Sequence, residues 1–215
     1  MSTANPLAAN QYDVLENGGD QLNATFTADV NITSFLKANV TSTVNWGQTN
    51  YSNYSNPFYG SKVGVNGEIN KQSTSALRTN NVQTLTYFQD FDRHSVNVMV
   101  GHEYYKTTTK FLGAIAQGGF SPSIPEIDAF AKISDASSYK SGYNVEGYFG
   151  SAQYNYDQKY FASASFRRDA SSYFAKENRW GNFWSVGGAW LISKENFMQS
   201  SASWLNICLL YTSPS

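Results

Sequence analysis

The chain has 215 residues, enough for one domain of ordinary size, and 41% of them are hydrophobic while only 14% are charged. Aromatic residues reach 16%, which argues against disorder, and a formal net charge of -1 without a basic patch argues against a nucleic-acid-binding protein. The longest apolar run, Ile207 to Tyr211, is far too short to span a membrane as a helix. The first residues also lack the basic start and apolar core of a signal peptide, so we expect the native start to lie upstream.

Apolar and polar residues alternate along most of the chain, and this period of two predicts β-strands. The clearest case is residues 36–46, where eleven residues alternate almost perfectly. The pattern predicts seven strands, and an eighth begins at Trp204. The seven lie near residues 24–30, 36–46, 82–91, 95–100, 145–156, 160–167 and 184–192.

The connections between these strands alternate strictly between short and long. Tight polar turns are predicted at ITSF, DRH and DQK, whereas residues 47–80, 106–144 and 169–182 are predicted to form long loops. Long loops are uncommon in compact domains unless they are functional. Outer-membrane barrels have this asymmetry, with short periplasmic turns and long extracellular loops.

The two faces of the predicted strands differ in the way a membrane barrel requires. One face is apolar and carries no charge in the middle of the clear strands, where a charge would cost ~2–4 kcal/mol at mid-bilayer. The other face is rich in Thr, Asn and Ser and includes Lys37 and Arg167, which is typical of a lumen. We therefore predict an all-β fold, a partial transmembrane antiparallel up-and-down β-barrel of about seven strands from a larger barrel. Aromatic residues at strand ends fit the two interfacial girdles of such a barrel: Phe35, Trp46, Phe91, Tyr104, Tyr154, Tyr160, Trp184 and Trp190.

The charged corner that begins FRRDASSYF is predicted to lie at the outer rim of the barrel. Arg168 has lipid-facing parity, but at a strand end the penalty for Arg falls to roughly 0–1 kcal/mol and lipid phosphates can accept its hydrogen bonds. Arg167 is expected to point inward, and Asp169 can pair with either arginine. After Arg179, the chain is expected to return through the aromatic belt with Trp180, Phe183 and Trp184.

The same region resembles the signature of SusC/RagA-type TonB-dependent outer-membrane transporters. The matching sequence runs YDQKY, SFRRDASSYF, NRWGNFWS, then a G-A-W triplet, FM and WL, within residues 144–206. SNPFYG at 55–60 and VGHEYY at 100–105 are also similar to the family. The chain departs from the family pattern at Tyr173, Ala175 and Ala189, which leaves the resemblance intact. We thus assign residues 1–207 to a partial TonB-dependent receptor β-barrel.

This resemblance implies a fragment of an active transporter in the outer membrane of a Gram-negative bacterium, which imports oligosaccharides or peptides. It implies outer-membrane lipid, a SusD-like lipoprotein that caps the barrel, and TonB as partners, with TonB contacted through an N-terminal part missing from this chain. Neither a cofactor nor a catalytic function is implied. The alternative is a surface carbohydrate-binding or adhesin β-sandwich; a passive porin and a barrel enzyme are weaker alternatives.

Candidate binding residues are few. Tyr51, Tyr54, Phe58 and Tyr59 in the first long loop can stack on sugar faces, although loop aromatics more often pack on neighbouring loops. Glu126 and Asp128 are two carboxylates in a loop, which are more often solvated than metal-bound, so no metal site is predicted. His94 and His102 have neither metal-ligand spacing nor a nearby nucleophile, and we expect no catalytic residues.

The last eight residues, CLLYTSPS, match the translation of a transposon-end sequencing adapter. We therefore predict that residues 208–215 are a non-native tail. The only cysteine, Cys208, lies in this tail, so disulfide and thiol chemistry play no part in the native segment.

Overall fold

The computed structural model describes residues 11–121, 123–199 and 208–214. Eight antiparallel strands lie in one open sheet in the order of the sequence, from the first strand to the eighth. This is the up-and-down order of a partial β-barrel, and the predicted fold class is confirmed. The strands are β1 (Val14–Asn31), β2 (Leu36–Ser55), β3 (Glu68–Phe91), β4 (His94–Gly119), β5 (Phe130–Tyr156), β6 (Tyr160–Ser171), β7 (Trp180–Leu191) and β8 (Cys208–Pro214).

Helical structure in the described residues is confined to short pieces. One helical turn, α1 (Asn196–Gln199), follows β7, and single 3₁₀ turns include Val63–Val65 and Ile127–Ala129. None of the helices in this part of the chain has both the length and the apolar character needed to cross a membrane.

The three predicted tight turns lie where the sequence placed them. The turn between β5 and β6 is closed by the Lys159 backbone N–H, which donates to the Tyr156 carbonyl at 2.9 Å. Asp157 and Gln158 both have a φ of 53°, the left-handed conformation that a hairpin with the twist of its strands requires. Asp92, in the turn between β3 and β4, has the same φ.

Two of the three predicted long loops are wrong in extent, because most of their residues continue the strands. β2 runs on to Ser55 and β3 already begins at Glu68, while β4 runs to Gly119 and β5 begins at Phe130. The connections that remain are residues 56–67, 120–129 and 172–179. In β5, residues 131–142 are exposed on both faces, so no apolar side marks them as a strand. The alternation of hydrophobicity detects a strand only where one face is buried or meets lipid.

The eighth described strand lies in the predicted tail. The expected start at Trp204 lies outside the described residues, and β8 consists of residues from the predicted tail. β8 pairs with β7 over Leu191 to Ser185, with Leu209 opposite Trp190 and Tyr211 opposite Gly188.

The register of β5, β6 and β7 separates two faces. Tyr148 lies opposite Arg168, and Ala152, Ala164 and Val186 follow one another across the three strands. The face that carries them, here called the apolar face, includes Phe166 and Trp184, whose side chains are 50% and 52% exposed. The opposite face, here called the polar face, carries Ser151, Ser165 and Ser185 in one row, Gln153, Ser163 and Gly187 in the next, and Arg167 with Phe149 and Phe183.

The chain divides into two compact units. The first comprises residues 1–24, 44–78 and 107–142, and the second comprises residues 25–43, 79–106 and 143–215. The first unit contains a small buried cluster in which the rings of Tyr54 and Phe130 meet edge to face at 6.3 Å. Ile69 and Ala116 complete this cluster, and both have no exposed surface.

Glycine on the polar face of β4 makes room for an aromatic ring in the second unit. A Cβ atom at Gly101 would lie 2.3 Å from the ring of Phe149, closer than any real contact. We predict that Gly101→Ala destabilises the folded barrel by ~1–3 kcal/mol, because the ring must leave its position. The measurement is the urea midpoint of the full-length protein refolded in lipid vesicles.

Gly18→Ala is the matched control, since no atom lies within 4 Å of a Cβ at that position. The double variant Gly101→Ala with Phe149→Leu should cost less than the sum of the two single changes, because the smaller side chain removes the clash. Additive losses would contradict the steric explanation.

Candidate functional site: rim, polar-face cluster and loop aromatics

The two adjacent arginines of the charged corner lie on opposite faces of β6, as predicted. Arg167 is on the polar face, where its Nη2 donates to Glu103 Oε2 at 2.7 Å and its Nε donates to Asp169 Oδ2 at 2.8 Å. Arg168 is on the apolar face, where its guanidinium lies over the Trp180 ring at 4.7 Å. Asp169 therefore pairs with Arg167.

The polar-face cluster crosses four strands, β3 to β6. Glu103 of β4 also accepts from Asn80 of β3 at 3.2 Å, and the Arg167 guanidinium lies 5.5 Å above the Phe149 ring of β5. Gly147 makes space for this cluster, because a Cβ there would lie 2.3 Å from Asp169 Oδ1. Because two carboxylates already bond its guanidinium, Arg167 links β4 to β6 and is not available as a site for an anionic ligand.

Other corner residues take different positions. Arg179 donates from Nε to the Phe174 carbonyl at 2.9 Å and so holds the connection between β6 and β7. Trp180 stacks with Tyr148 at 6.2 Å on the apolar face. The expectation that Phe183 joins this belt is wrong: its register partner is Arg167, so it lies on the polar face.

A second group of polar side chains lies beside Tyr148 at the same end of the apolar face. His102 Nε2 is 3.2 Å from Glu146 Oε1, and the same carboxylate oxygen accepts from the Tyr148 hydroxyl at 2.7 Å. His102 Nδ1 is 2.9 Å from Gln83 Oε1. The group thus links β3, β4 and β5 by side-chain hydrogen bonds, and its composition fits an interface with water better than hydrocarbon.

Aromatic rings form a second belt at the other end of the apolar face. Tyr156 stacks on Tyr160, and Tyr160 stacks on Trp190, with centroids 6.2 Å apart in both pairs. His94 lies 4.9 Å from the Tyr156 ring. Tyr160 and then Trp190 donate hydrogen bonds to Glu195, and these bonds lower the pKa of that carboxyl group, which lies beyond the end of β7.

The separation of the two belts fits a membrane. From Tyr148 to Tyr156 in β5 the strand rises about 27 Å at ~3.4 Å per residue. A tilt of roughly 40° reduces this to about 20 Å, close to the ~25 Å apolar band of outer-membrane barrels. Between the belts, the apolar face of β5 to β7 carries only apolar or aromatic side chains and glycine.

The four candidate loop aromatics do not form one group. Tyr51 and Tyr54 lie within β2, so their placement in a loop is wrong, and Tyr54 is only 4% exposed against Phe130. Burial, and secondly the charge of Asp13, raise the pKa of Tyr54. Tyr51 is half-buried and lines a concave surface with Lys71 and Leu112.

Phe58 and Tyr59 do lie in a connection, and they meet a third ring that sequence reasoning missed. Tyr12 stacks on Tyr59 at 5.9 Å and meets Phe58 edge to face at 6.1 Å. The three side chains, here called the ring platform, are 39%, 53% and 56% exposed for Tyr12, Phe58 and Tyr59. No sequence signal links Tyr12 to the other two, because 46 positions separate Tyr12 from Phe58.

Charged side chains of the two connections form ion pairs with residues of β3. Glu126 bonds to Lys71 at 2.6 Å, so this carboxylate has a cationic partner within the chain. Lys62 pairs with Glu68, which also accepts from Gln117 at 2.7 Å. Burial raises the pKa of Glu68, but the hydrogen bonds from Lys62 and Gln117 outweigh it, and the pKa is lowered. Among the described residues, no three His, Cys, Asp or Glu side chains come together as metal ligands.

Comparison with known proteins agrees with these features. No known protein-family profile matches the chain. TonB-dependent receptor P3 of Formosa agariphila is 31% identical over 141 residues, which are 65% of this chain and 14% of that protein. TonB-dependent receptor SusC of Bacteroides thetaiotaomicron is 36% identical over 69 residues, 32% of this chain and 7% of that protein. The sequence resemblance to SusC/RagA-type TonB-dependent receptors is thereby confirmed.

A solved structure shows the same fold. The RagAB peptide transporter structure aligns with 96% of this chain and 23% of its own, with a TM-score of 0.85 and 22% identity. The chain therefore spans less than a quarter of the length of this neighbour and 14% of receptor P3.

The adjacent arginines provide a matched pair of substitutions. Arg167→Ala leaves Glu103 and Asp169 facing each other without a cation, and both side chains are about one quarter exposed. We expect a loss of ~1–3 kcal/mol in the free energy of unfolding. Arg168→Ala removes only a half-exposed contact with Trp180 and should cost ~0–1 kcal/mol.

Both variants are measured by urea unfolding of the full-length protein in vesicles. Arg167→Lys is an intermediate control, because Lys keeps the charge but cannot make the two separate bonds of the planar guanidinium. Equal losses for the two alanine variants, or a larger loss at Arg168, would contradict the assignment of faces.

Proposed function

We propose that this chain is part of the barrel wall of a TonB-dependent active transporter in the outer membrane of a Gram-negative bacterium. The observation that carries the proposal is the single up-and-down sheet whose apolar face is bounded by two belts about one membrane apart. Sequence similarity to receptor P3 and SusC supports TonB dependence in particular.

The alternative of a carbohydrate-binding or adhesin β-sandwich is disfavoured. A sandwich needs two packed sheets, and its inward faces bury apolar side chains against each other. Here all eight described strands lie in one sheet, and Phe166 and Trp184 are half-exposed on its apolar face. That exposure requires a lipid environment or a further protein layer.

Transport, and not catalysis, is the activity that we infer. The similar proteins are receptors and transporters. The histidines support this inference: His102 is engaged with Gln83 and Glu146, and His94 with Tyr154. Neither arrangement contains a nucleophile with a general base.

The partners of the whole protein follow from the same inference. We infer a SusD-like lipoprotein lid on the outer side, TonB at a part of the protein beyond this segment, and an oligosaccharide or peptide as cargo. Lipid is inferred to contact the apolar face, with a headgroup phosphate accepting from Arg168 beside Trp180. The small stability loss of Arg168→Ala should then be smaller in membranes without lipid phosphate, where only the contact with Trp180 is lost.

Phe58 and Tyr59 are proposed to contact the cargo, together with Tyr12. The support for this proposal is that the three exposed rings contact one another outside the strands, where binding residues are common. Tyr51 remains a weaker candidate because it is half-buried, and Tyr54 is not carried further because its ring is buried against Phe130.

We also propose that residues 208–215 are a non-native tail. β8 pairs with β7 through its backbone, which requires no particular sequence. The register places Leu210 opposite Ala189 on the polar face, where 75% of this large apolar residue is exposed. The genomic sequence downstream of Ile207 tests this, since a native CLLYTSPS codon run there would refute it.

The function is tested by uptake into cells that express the whole receptor. We predict that labelled oligosaccharides or peptides are concentrated inside the outer membrane, and that uptake falls at least tenfold when TonB is deleted or the proton gradient is collapsed. A porin would admit them only to equilibrium and would be unaffected by either treatment. Uptake that persists without TonB would contradict active transport.

A further inference from the structure

A single buried amide ties the connection after β2 to the residue that precedes β1. Asn56 is 1% exposed. Its Nδ2 donates to Asp13 Oδ1 at 2.6 Å, and its backbone N–H donates to the same oxygen at 2.8 Å. Its Oδ1 accepts the backbone N–H groups of Phe58 and Tyr59, both at 2.8 Å. All these groups belong to the first unit.

These four hydrogen bonds set the positions of all three rings of the ring platform. Asn56 Oδ1 fixes the backbone of Phe58 and Tyr59, and Asp13 is the immediate neighbour of Tyr12. Movement of either partner would therefore separate Tyr12 from Tyr59, whose rings now stack at 5.9 Å. A buried side chain that satisfies two backbone N–H groups and a carboxylate is costly to replace, because every lost bond leaves a desolvated group.

Two charged side chains that are close to the platform in the sequence have partners of their own. Asp13 accepts two hydrogen bonds from Asn56, and Lys62 of the same connection is paired with Glu68. The platform therefore presents exposed ring faces and the hydroxyl groups of Tyr12 and Tyr59. Such a surface matches a neutral ligand with apolar faces and many hydroxyl groups better than it matches a charged peptide.

We propose that Asp13 and Asn56 are positioning residues that hold Tyr12, Phe58 and Tyr59 as a platform for the sugar rings of a neutral oligosaccharide. This proposal rests on the transport function proposed above and names the class of ligand and the residues that shape its contact.

The test uses isosteric exchanges in the whole receptor. Asn56→Asp keeps the acceptor for Phe58 and Tyr59 but removes the Nδ2 donor and places a second carboxylate against Asp13. Asp13→Asn alone retains an oxygen acceptor and should behave like the wild type. In the double variant the new amide at position 13 can donate to the new carboxylate at position 56, so the cross-connection bonds return.

Two readouts separate positioning from ligand binding. Hydrogen exchange at the amides of residues 58 and 59 should accelerate at least tenfold in Asn56→Asp and return to within about twofold of wild type in the double variant. Affinity for a panel of neutral hexose oligosaccharides should fall at least fivefold and recover in the same way. Tyr59→Ala should lower that affinity without changing exchange at residue 58, and Asn53→Asp, in β2, is the matched control.

Each contrary result overturns a defined part of the proposal. Unchanged amide exchange in Asn56→Asp refutes the positioning pair. Faster exchange with unchanged sugar affinity refutes the platform, and loss of peptide binding in place of sugar binding refutes the ligand class. Failure of the transport function itself appears separately, as wild-type uptake that does not depend on TonB.

Discussion

Backbone pairing between neighbouring strands is the constraint on which this structure depends. In hydrocarbon, an unpaired N–H or carbonyl group costs several kcal/mol, so only a continuous hydrogen-bonded sheet can carry the chain through lipid. Pairing fixes the register, and register with a period of two fixes which side chains share a face. Once Tyr148 pairs with Arg168 and Ala164 with Val186, all the remaining side chains of β5, β6 and β7 are assigned to the apolar face or to the polar face.

The charged corner shows how the alternation of faces separates two adjacent arginines. Arg167 and Arg168 cannot share a face, so each needs its own compensation. Arg167 is compensated by carboxylates from β4 and β6, and glycine at position 147 leaves the space for them. Arg168 is compensated by the face of Trp180 and by its place at the end of the apolar band. One substitution therefore changes an internal ion pair, and the other changes an interfacial contact.

The sequence predicts this wall well where one face is apolar. The seven strands, their tight turns and the opposite directions of Arg167 and Arg168 follow from the period of two and the turn residues alone. The extensions of β2 to β5 do not, because residues 131–142 of β5, for example, are exposed on both faces and have no hydrophobic period. Strand propensity of Thr, Tyr and Ser is too weak a signal to distinguish such ribbons from loops.

The candidate site was less accessible to sequence reasoning for a different physical reason. Glu103 is 64 residues from Arg167, and Tyr12 is far from Phe58 and Tyr59 in the sequence. The alternation of apolar and polar residues shows which residues of one strand share a face. It does not show which positions of two strands lie opposite each other. The partner of Arg167 therefore required the register, and the ring platform required the fold of a connection that has no period.

Asn56 shows what determines the structure of a connection, where apolar and polar residues do not alternate. Strands obtain their hydrogen bonds from neighbours along a ladder, but a connection must satisfy its backbone groups locally. Asn is suited to this because its amide has both donors and an acceptor, so one side chain can satisfy two N–H groups and also bond a carboxylate. At position 56 the donors bind Asp13 and the acceptor binds Phe58 and Tyr59. The positions of the exposed rings thus depend on a buried polar residue, so a substitution at position 56 can move the rings without changing any exposed side chain.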